Sequence, residues 1–340
     1  MAFEDESRAA IAAVLQGCRL CREVQQSLIS RNSISKRDKS PVTVADFGVQ
    51  AVVNHHLKTI FPEIPIVGEE DTGYLHQPEN LTIKDQVIEY VLRIIPELGE
   101  AEILTAIDQG THEGGSSGKF WCLDPVDGTK GFLRGDQYAI ALALIEGGEV
   151  LLGILGCPEL PLSLRRADET RGCIFYAIRD EGAFMARLDA VDEMREIRVD
   201  MISDPAWAKF CESVEAEHSS HDDARRIADL LDVQAPPVRI DSQCKYAVVA
   251  RGDASIYLRL PTEGIGRKNP DRYVEKIWDH AAGSILIEEA GGAVTDIHGR
   301  KLDFSRGRKL TRNEGVIVTN GILHESVLRA VQEVMGSESA

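Results

Sequence analysis

The stretch Trp121-Cys122-Leu123-Asp124-Pro125-Val126-Asp127-Gly128-Thr129 decides how the rest of the chain is read. A short apolar strand delivers two carboxylates and then a Gly-Thr turn. Asp124 and Asp127 are hard oxygen donors, Pro125 stiffens the chain between them, and the Val126 carbonyl is free for the same ion; Mg²⁺ takes such donors at about 2.0–2.1 Å. Gly128 and Thr129 then offer backbone N–H groups to an anion. Asp-Pro and Asp-Gly are also ordinary turn dipeptides, so a plain turn fits the nonapeptide taken alone.

Three more acidic segments change the balance. Val67-Gly68-Glu69-Glu70-Asp71 is an acidic loop after a short apolar run, with Glu69 placed to bridge two cations. Trp278-Asp279-His280-Ala281-Ala282-Gly283 opens a stretch of helical periodicity (Ala281, Ile285, Leu286, Glu289), which puts Asp279 where an N-cap belongs. Thr43-Val44-Ala45-Asp46 starts another helix in a capping arrangement. Capping or turn formation explains each motif separately; a shared cation site explains all four. The pattern D-P-x-D-G-T with a later W-D-x-x-x-G resembles the lithium-sensitive phosphatase superfamily of inositol monophosphatase and fructose 1,6-bisphosphatase. Within it, Lys39-Ser40-Pro41-Val42-Thr43-Val44-Ala45-Asp46, the extension Lys130 to Tyr138, Asp241-Ser242-Gln243-Cys244-Lys245-Tyr246 and Tyr257-Leu258-Arg259-Leu260-Pro261 resemble the 3′(2′),5′-bisphosphate nucleotidases. The likeness runs from about Phe3 to the final helix.

The resemblance implies an α+β fold, a layered α/β/α/β/α sandwich of the sugar-phosphatase type. It implies two subdomains with the site between them: residues 1–200 with an antiparallel sheet and most metal ligands, and residues 201–340 with the nucleotide-binding residues and Asp279. Glu69, Asp124, the Val126 carbonyl, Asp127 and Asp279 would hold two or three Mg²⁺ ions. Asp46 would act as base through the Thr129 hydroxyl, and the Gly128 and Thr129 N–H groups would bind the phosphate being transferred. Ser242, Lys245 and Arg259 would hold the nucleotide, the basic pair on its 5′-phosphate, and His221 would contact adenine; a solvated or capping role suits a loop histidine equally well. The implied reaction takes 3′-phosphoadenosine 5′-phosphate to AMP and phosphate, with the 5′-phosphosulfate as a further substrate and Li⁺ as inhibitor. Two alternatives stay open: an inositol monophosphate or inositol 1,4-bisphosphate 1-phosphatase, and a non-catalytic nucleotide sensor.

Composition sets limits without choosing a reaction. Over 340 residues, 27 % are charged and 43 % hydrophobic, enough for a substantial buried core. No apolar run approaches the ~20 residues needed to cross a bilayer. Thirty-eight basic against fifty-five acidic side chains give a formal charge of −17, which argues against binding a nucleic-acid polymer but leaves room for a small phosphorylated ligand beside cations and a few placed bases. The acidic start Met1 to Glu6 runs into an amphipathic helix (Ile11, Val14, Leu15, Cys18, Leu20) and reads as neither signal nor transit peptide. The scattered cysteines read as a reducing compartment, the cytoplasm, or an organelle if a transit peptide was removed; a monomer is expected, with a dimer as the alternative. Cys18 and Cys21 suit core packing.

Coarsely, Leu81 to Leu98 reads as helix, and Ala139 to Ile145, Val150 to Leu155, Ile174 to Ala177 and Gly182 to Arg187 as consecutive, mostly antiparallel strands. A hairpin there would bring Cys157 and Cys173 together, where a redox-sensing disulfide is conceivable. After Asp200, helices (Ala224 to Leu231, Ser284 to Ala290) alternate with strands (Ala254 to Leu258, Ala293 to Asp296, Val316 to Thr319). His55 and His56 read as bland helix residues, and Lys36, Arg37 and Lys39 as a solvated run or a lid.

Overall fold

Two interleaved sets of apolar side chains run through the central strands and face opposite layers. In Lys119–Asp127, Phe120 and Cys122 belong to one buried cluster while Trp121 and Leu123 belong to another. In Ala139–Glu146, Ala139, Ala141 and Ala143 side with Phe120, and Ile140, Leu142 and Leu144 with Trp121. This is period-two alternation in strands buried on both faces, with small residues toward one layer and large ones toward the other.

The structure is a computed structural model that describes residues 3–30, 40–164, 170–214, 221–261 and 273–336. Helices α1 (Glu4–Ser30), α2 (Ser40–Ile60), α3 (Leu81–Ile94) and α4 (Glu100–Asp108) cover the Trp121 face. The first sheet has seven strands in sequence order: β1 (Ile66–Gly68), β2 (Lys119–Asp127), β3 (Ala139–Glu146), β4 (Glu149–Pro161), β5 (Arg171–Ile178), β6 (Gly182–Arg187) and β7 (Ala190–Ile197). Only the β1–β2 pair is parallel. A short α5 (Thr129–Arg134) joins β2 to β3. The second half contributes β8 (Phe210–Glu212), α6 (His221–Leu230), β9 (Val238–Arg239), α7 (Cys244–Ala250), β10 (Ile256–Arg259), α8 (Ala281–Glu289), β11 (Ala293–Thr295), β12 (Val316–Thr319) and α9 (His324–Gly336). Its sheet runs β11-β12-β10-β8-β9.

Helices α7 and α8 lie between the sheets, packing Ala247, Ile285 and Leu286 with Ala143 and Phe175 on one side and Tyr257 and Val318 on the other. On the far face of the second sheet, Ile256 and Ile317 pack with Ile227 of α6 and Val327 and Val331 of α9. The order of layers is therefore α/β/α/β/α, as the resemblance implies. The alanines of β3 and Gly153 of β4 let α8 approach closely: a Cβ on Gly153 would stand 2.4 Å from Ile285 Cγ2 and 2.7 Å from the Ala282 carbonyl.

Several expectations need correction. Helix α2 begins at Ser40, so Thr43 and Asp46 sit inside it and neither caps it. Helix α8 begins at Ala281 with His280 at its N-cap and no side-chain cap bond, which leaves Asp279 outside the helix and free of a capping role. The helix read over Leu81 to Leu98 stops at Ile94, because Pro96 disfavours helical geometry at the residue before it. Strand β7 lies at the sheet edge with its charged pairs Asp192-Glu193 and Arg195-Glu196 exposed, and these break the apolar alternation that would reveal it. Cys157 and Cys173 do face each other across β4 and β5. All seven thiols are free and buried. Burial pushes Cys173 up to about 12 and Cys157 well above the usual thiol range, so the thiolate that oxidation needs is suppressed. No helix among the described residues is long and apolar enough to cross a membrane.

Replacing Gly153 by Val should force β4 and α8 apart and cost about 1–3 kcal/mol of stability. Urea unfolding that leaves the midpoint unchanged would show the approach to be looser than described.

Candidate active site

Strand β2 loses its regular register between Asp124 and Asp127, where three residues span what two residues span on β3 (Asp124 opposite Ala141, Asp127 opposite Ala139). Pro125, with no N–H to give a neighbour, falls in this irregularity. The consequence is geometric. In a regular strand, residues three apart point to opposite faces; here Val126 packs with Trp121 and Leu123, and both Asp124 and Asp127 line one cleft of about 700 Å³.

Parallel pairing brings in the next carboxylate. Val67 lies opposite Cys122 and Gly68 opposite Leu123, so Glu69 leaves β1 beside Asp124. The loop is fixed from α2: Gln50 Oε1 accepts from the Glu70 N–H (3.0 Å), and its Nε2 donates to the Glu70 and Ile107 carbonyls (2.6 and 2.9 Å). Gly68 leaves room for that amide, since a Cβ there would sit 2.6 Å from Gln50 Oε1. Asp46 is one helical turn before Gln50 and so shares its face. Desolvation and the charges of Glu70 and Glu69 push the Asp46 carboxyl well above its usual range.

The remaining wall comes from the second half. Gln243 is its keystone: its N–H donates to Asp127 Oδ2, its Nε2 to the Trp278 carbonyl (3.0 Å), and its Oε1 accepts from Gly283 N–H (3.3 Å). One side chain and its amide thus join the β2 carboxylate to the loop that carries Asp279. Sequence reasoning quoted the segment holding Gln243 but gave the residue no role. Ser242 adopts φ 66°, strained for a residue with a side chain, and packs against Gly128 at φ 93°, where a Cβ would come within 2.7 Å of Ser242 Cβ. Asp241 accepts from Arg134 at the end of α5 and, through Oδ1, from Val214 N–H (3.1 Å), which ties this segment to the helix opened by Thr129.

Carboxylates crowd the cleft. Asp124 is 2 % exposed, and desolvation followed by the charges of Glu69, Asp127 and Asp279 raises its carboxyl well above the ordinary value. Desolvation, then Asp279, Glu70 and Asp127, push Glu69 up to about 8, although its side chain reaches the exposed rim; Glu70 rises to about 7 by burial and the charge of Asp71. Asp279 is raised by desolvation, which Arg259 and His280 partly offset.

Two basic side chains line the same cleft. Lys245, 4 % exposed and 5.1 Å from the Tyr257 ring centroid, has its pKa lowered by desolvation despite the opposing charge of Asp127. Arg259 lines the same cleft but is already engaged, with Nε on Glu275 (2.8 Å) and Nη2 3.6 Å from Asp279 Oδ2. Glu275 also meets His280 Nε2 (3.1 Å), and His280 Nδ1 meets the Tyr246 hydroxyl (2.7 Å). Against desolvation, Arg259 and His280 pull Glu275 down to about 2. Glu275, Asp279 and His280 are the one trio of acidic or histidine ligands among the described residues with ligand atoms all within 4.8 Å of one another. Arg259 already supplies the cation there, and both His280 nitrogens are bonded. The carboxylates Glu69, Asp124, Asp127 and Asp279 are spread more widely, around a larger space.

That space fits divalent cations on the chemistry of its donors. Asp124 Oδ1 is buried and has no hydrogen-bond partner among the described residues, and the carboxylates Glu69, Asp127 and Asp279 around it add to the burial that raises its pKa. Thr129 is exposed in the cleft, and among the described residues no side-chain hydrogen bond joins it to Asp46. The side chain of His221 and the segment with Lys36, Arg37 and Lys39 lie outside the described residues.

Comparison with known proteins bears on the family and the fold. The model of the inositol monophosphatase family matches residues 4–336. The chain is 43 % identical to a 3′(2′),5′-bisphosphate nucleotidase of Schizosaccharomyces pombe, covering 99 % of this chain and 98 % of that protein. It is 45 % identical to one of Oryza sativa (99 % and 96 %) and 43 % identical to one of Dictyostelium discoideum (95 % and 95 %). Among solved structures, an inositol monophosphatase from Zymomonas mobilis superposes with TM-score 0.63 at 18 % identity (98 % and 99 % covered), and one from Anabaena with 0.61 at 19 % (100 % of both). At that identity the superpositions speak for the fold alone. A match that spans nearly every residue, together with relatives alike from end to end, places the chain in the inositol monophosphatase family.

Proposed function

We propose that the chain is a Mg²⁺-dependent phosphatase that removes the 3′-phosphate of 3′-phosphoadenosine 5′-phosphate, giving AMP and phosphate, and that accepts the 5′-phosphosulfate at the same site. The observation that carries this reading is the mixed lining of a single cleft: the carboxylates Glu69, Asp124, Asp127 and Asp279 together with a buried ammonium, Lys245, whose leading charged neighbour is Asp127. A ligand with two phosphates satisfies both. The names of relatives above 40 % identity support the same substrate class.

In this reading Glu69, Asp124, the Val126 carbonyl, Asp127 and Asp279 hold two or three ions. When bound, such ions supply charge neutralisation at the phosphoryl group and Lewis acidity. The chain's own residues do the rest. Asp46, whose carboxyl is raised by burial and by Glu69 and Glu70, accepts a proton from the attacking water through the Thr129 hydroxyl, which must rotate onto it. Gly128 and Thr129 N–H groups orient the 3′-phosphate, and Gln243 fixes Asp127 against the Asp279 loop. Ser242, Lys245 and Arg259 hold the nucleotide, and His221 contacts the base. Residues 1–200 thus carry most cation ligands, and residues 201–340 the nucleotide contacts with Asp279.

The test is phosphate release from 3′-phosphoadenosine 5′-phosphate and from inositol 1-phosphate, each with and without Mg²⁺. Mg²⁺-dependent AMP formation favouring the nucleotide is expected; preference for the inositol ester overturns the substrate, and release from neither overturns the enzyme. Asp124→Asn should lower kcat by about 10²-fold or more. Lys245→Met removes a charge-assisted contact of about 1.5–3 kcal/mol and should lower kcat/KM for the nucleotide roughly 10- to 100-fold while sparing inositol 1-phosphate.

The carboxylates also predict a pH dependence of the metal-free protein. Glu69 and Glu70 titrate near 8 and 7 when folded against an ordinary 4.5, so between those values the folded state binds more protons than the unfolded state. The stability these two groups contribute is therefore fullest below pH 4.5 and declines as pH rises toward 8; Glu275, held near 2, acts with the opposite sign and loses its contribution as pH falls below 4.5. Scanning calorimetry should show a melting temperature that falls across pH 5–8 after chelation, and a gain on adding Mg²⁺ that grows with pH. A gain that is flat with pH would count against these groups as the ligands.

A further inference from the structure

Arg308 belongs to none of the motifs above, yet its guanidinium reaches across the molecule. It donates to the Gly68 carbonyl, 240 residues away in sequence, and to the carbonyls of His112 (3.0 Å) and Gly110 (3.4 Å). Its Cζ lies 4.8 Å from the ring centroid of Trp278, which Lys276 Nζ also approaches at 5.2 Å. The backbone around it is equally committed: Ile277 N–H donates to the Arg308 carbonyl (3.2 Å), Leu310 N–H donates to the Glu275 carbonyl (2.9 Å), and Lys276 bridges to Lys309. The 308–310 segment is thus paired with the chain leading to Asp279, while its first side chain is bonded to the chain leading to Glu69.

We infer that Arg308 is a positioning residue that sets the separation of Glu69 and Asp279, by holding Gly68 and Trp278, their immediate predecessors, on one rigid group. The chemistry requires arginine. A planar fork of five donors can serve three carbonyls from one side and still lay its face on an indole, whereas a lysine ammonium is a single point with a longer hydration shell. Gly68 and Trp278 come from different halves of the fold, β1 of the first sheet and the loop before α8. Nothing in the covalent chain fixes their distance. Glu69 and Asp279 repel each other, so without a brace the cleft would relax outward at this point, and cations would have to pull it closed at a cost in affinity. Gln243 braces the Asp127 side of the same loop, so the two residues hold Asp279 from both flanks.

This inference rests on the reading of Glu69 and Asp279 as cation ligands, and its test separates the two. Arg308→Gln and Arg308→Lys are compared with wild type and with Arg306→Gln, a surface control, by hydrogen exchange on the metal-free proteins and by calorimetric titration with Mg²⁺. Both Arg308 variants should exchange faster over 66–70 and over 276–280 together, with the amides of β3 to β6 unchanged, and should bind Mg²⁺ about 10- to 100-fold more weakly. Arg308→Lys retains a cation over Trp278 and keeps the fold in place, so its loss of Mg²⁺ affinity at an unchanged melting temperature distinguishes positioning from general stability. Exchange that rises only over 276–280, or that leaves both segments as in wild type, overturns the brace. So does unchanged Mg²⁺ affinity in variants whose loops have loosened. If wild type itself takes up no Mg²⁺ while both segments loosen in the variants, the brace stands and the phosphatase reading falls.

Discussion

Like charges gathered in one place are the constraint on which this molecule is built. Asp46, Glu69, Asp124 and Asp279 each sit where burial and neighbouring carboxylates raise their pKa, an arrangement that loosens a protein unless something rigid opposes it. The opposing rigidity comes from two sources. Carboxylates are delivered by elements buried on both faces, β1, β2 and α2, which have little freedom to retreat. Between the halves, neutral and cationic groups do the tying: the Gln243 N–H on Asp127, with its side chain fixed to the Asp279 loop, Arg134 on Asp241, and Arg308 on the carbonyls behind Glu69. Catalytic sites hold strain of this kind because the compensating charge arrives with the ligand.

The contrast between the two basic residues of the cleft shows how burial and pairing differ in effect. Lys245 is buried with Asp127 as its main electrostatic partner and is destabilised as a cation, so an anion at its position relieves it. Arg259, which lines the same cleft, is satisfied by Glu275 and linked through it to His280 and Tyr246. A charge already paired contributes direction more than affinity, because a new ligand must share it. The two basic residues, equivalent as letters, therefore differ in what they can offer a phosphate.

Much of this was legible in the sequence, for reasons that can be named. The layer order followed from a resemblance carried by the D-P-x-D-G-T pattern, and the strands of the first sheet from apolar runs divided by short turns. What stayed hidden needed three dimensions. The irregularity at Pro125 puts Asp124 and Asp127 on one side, contrary to simple alternation, and the segment shows only a proline. Asp46 and Asp279 look like caps because helix ends shift by a few residues, and only the true starts at Ser40 and Ala281 remove that role. Gln243, Glu275 and Arg308 are ordinary polar residues in sequence, and their importance lies in partners tens to hundreds of residues away. Strand β7 was missed because an exposed edge strand is charged by design.

The middle layer of helices has a consequence for how such a chain can change over time. Helices α7 and α8 give apolar side chains to both sheets at once, with Ile285 and Leu286 in the same cluster as Phe175 of the first and Val318 of the second. Neither sheet owns this layer, so a fragment cut near residue 200 would leave β3 to β5 with a bare greasy face and no helix to cover it. Recombination between diverged relatives at that junction would have to match two interfaces in a single step. Loops at the rim of the cleft carry no such double obligation, and new substrate preferences in this architecture are therefore expected to arise by drift in the loops, while the helical filling between the sheets is inherited whole.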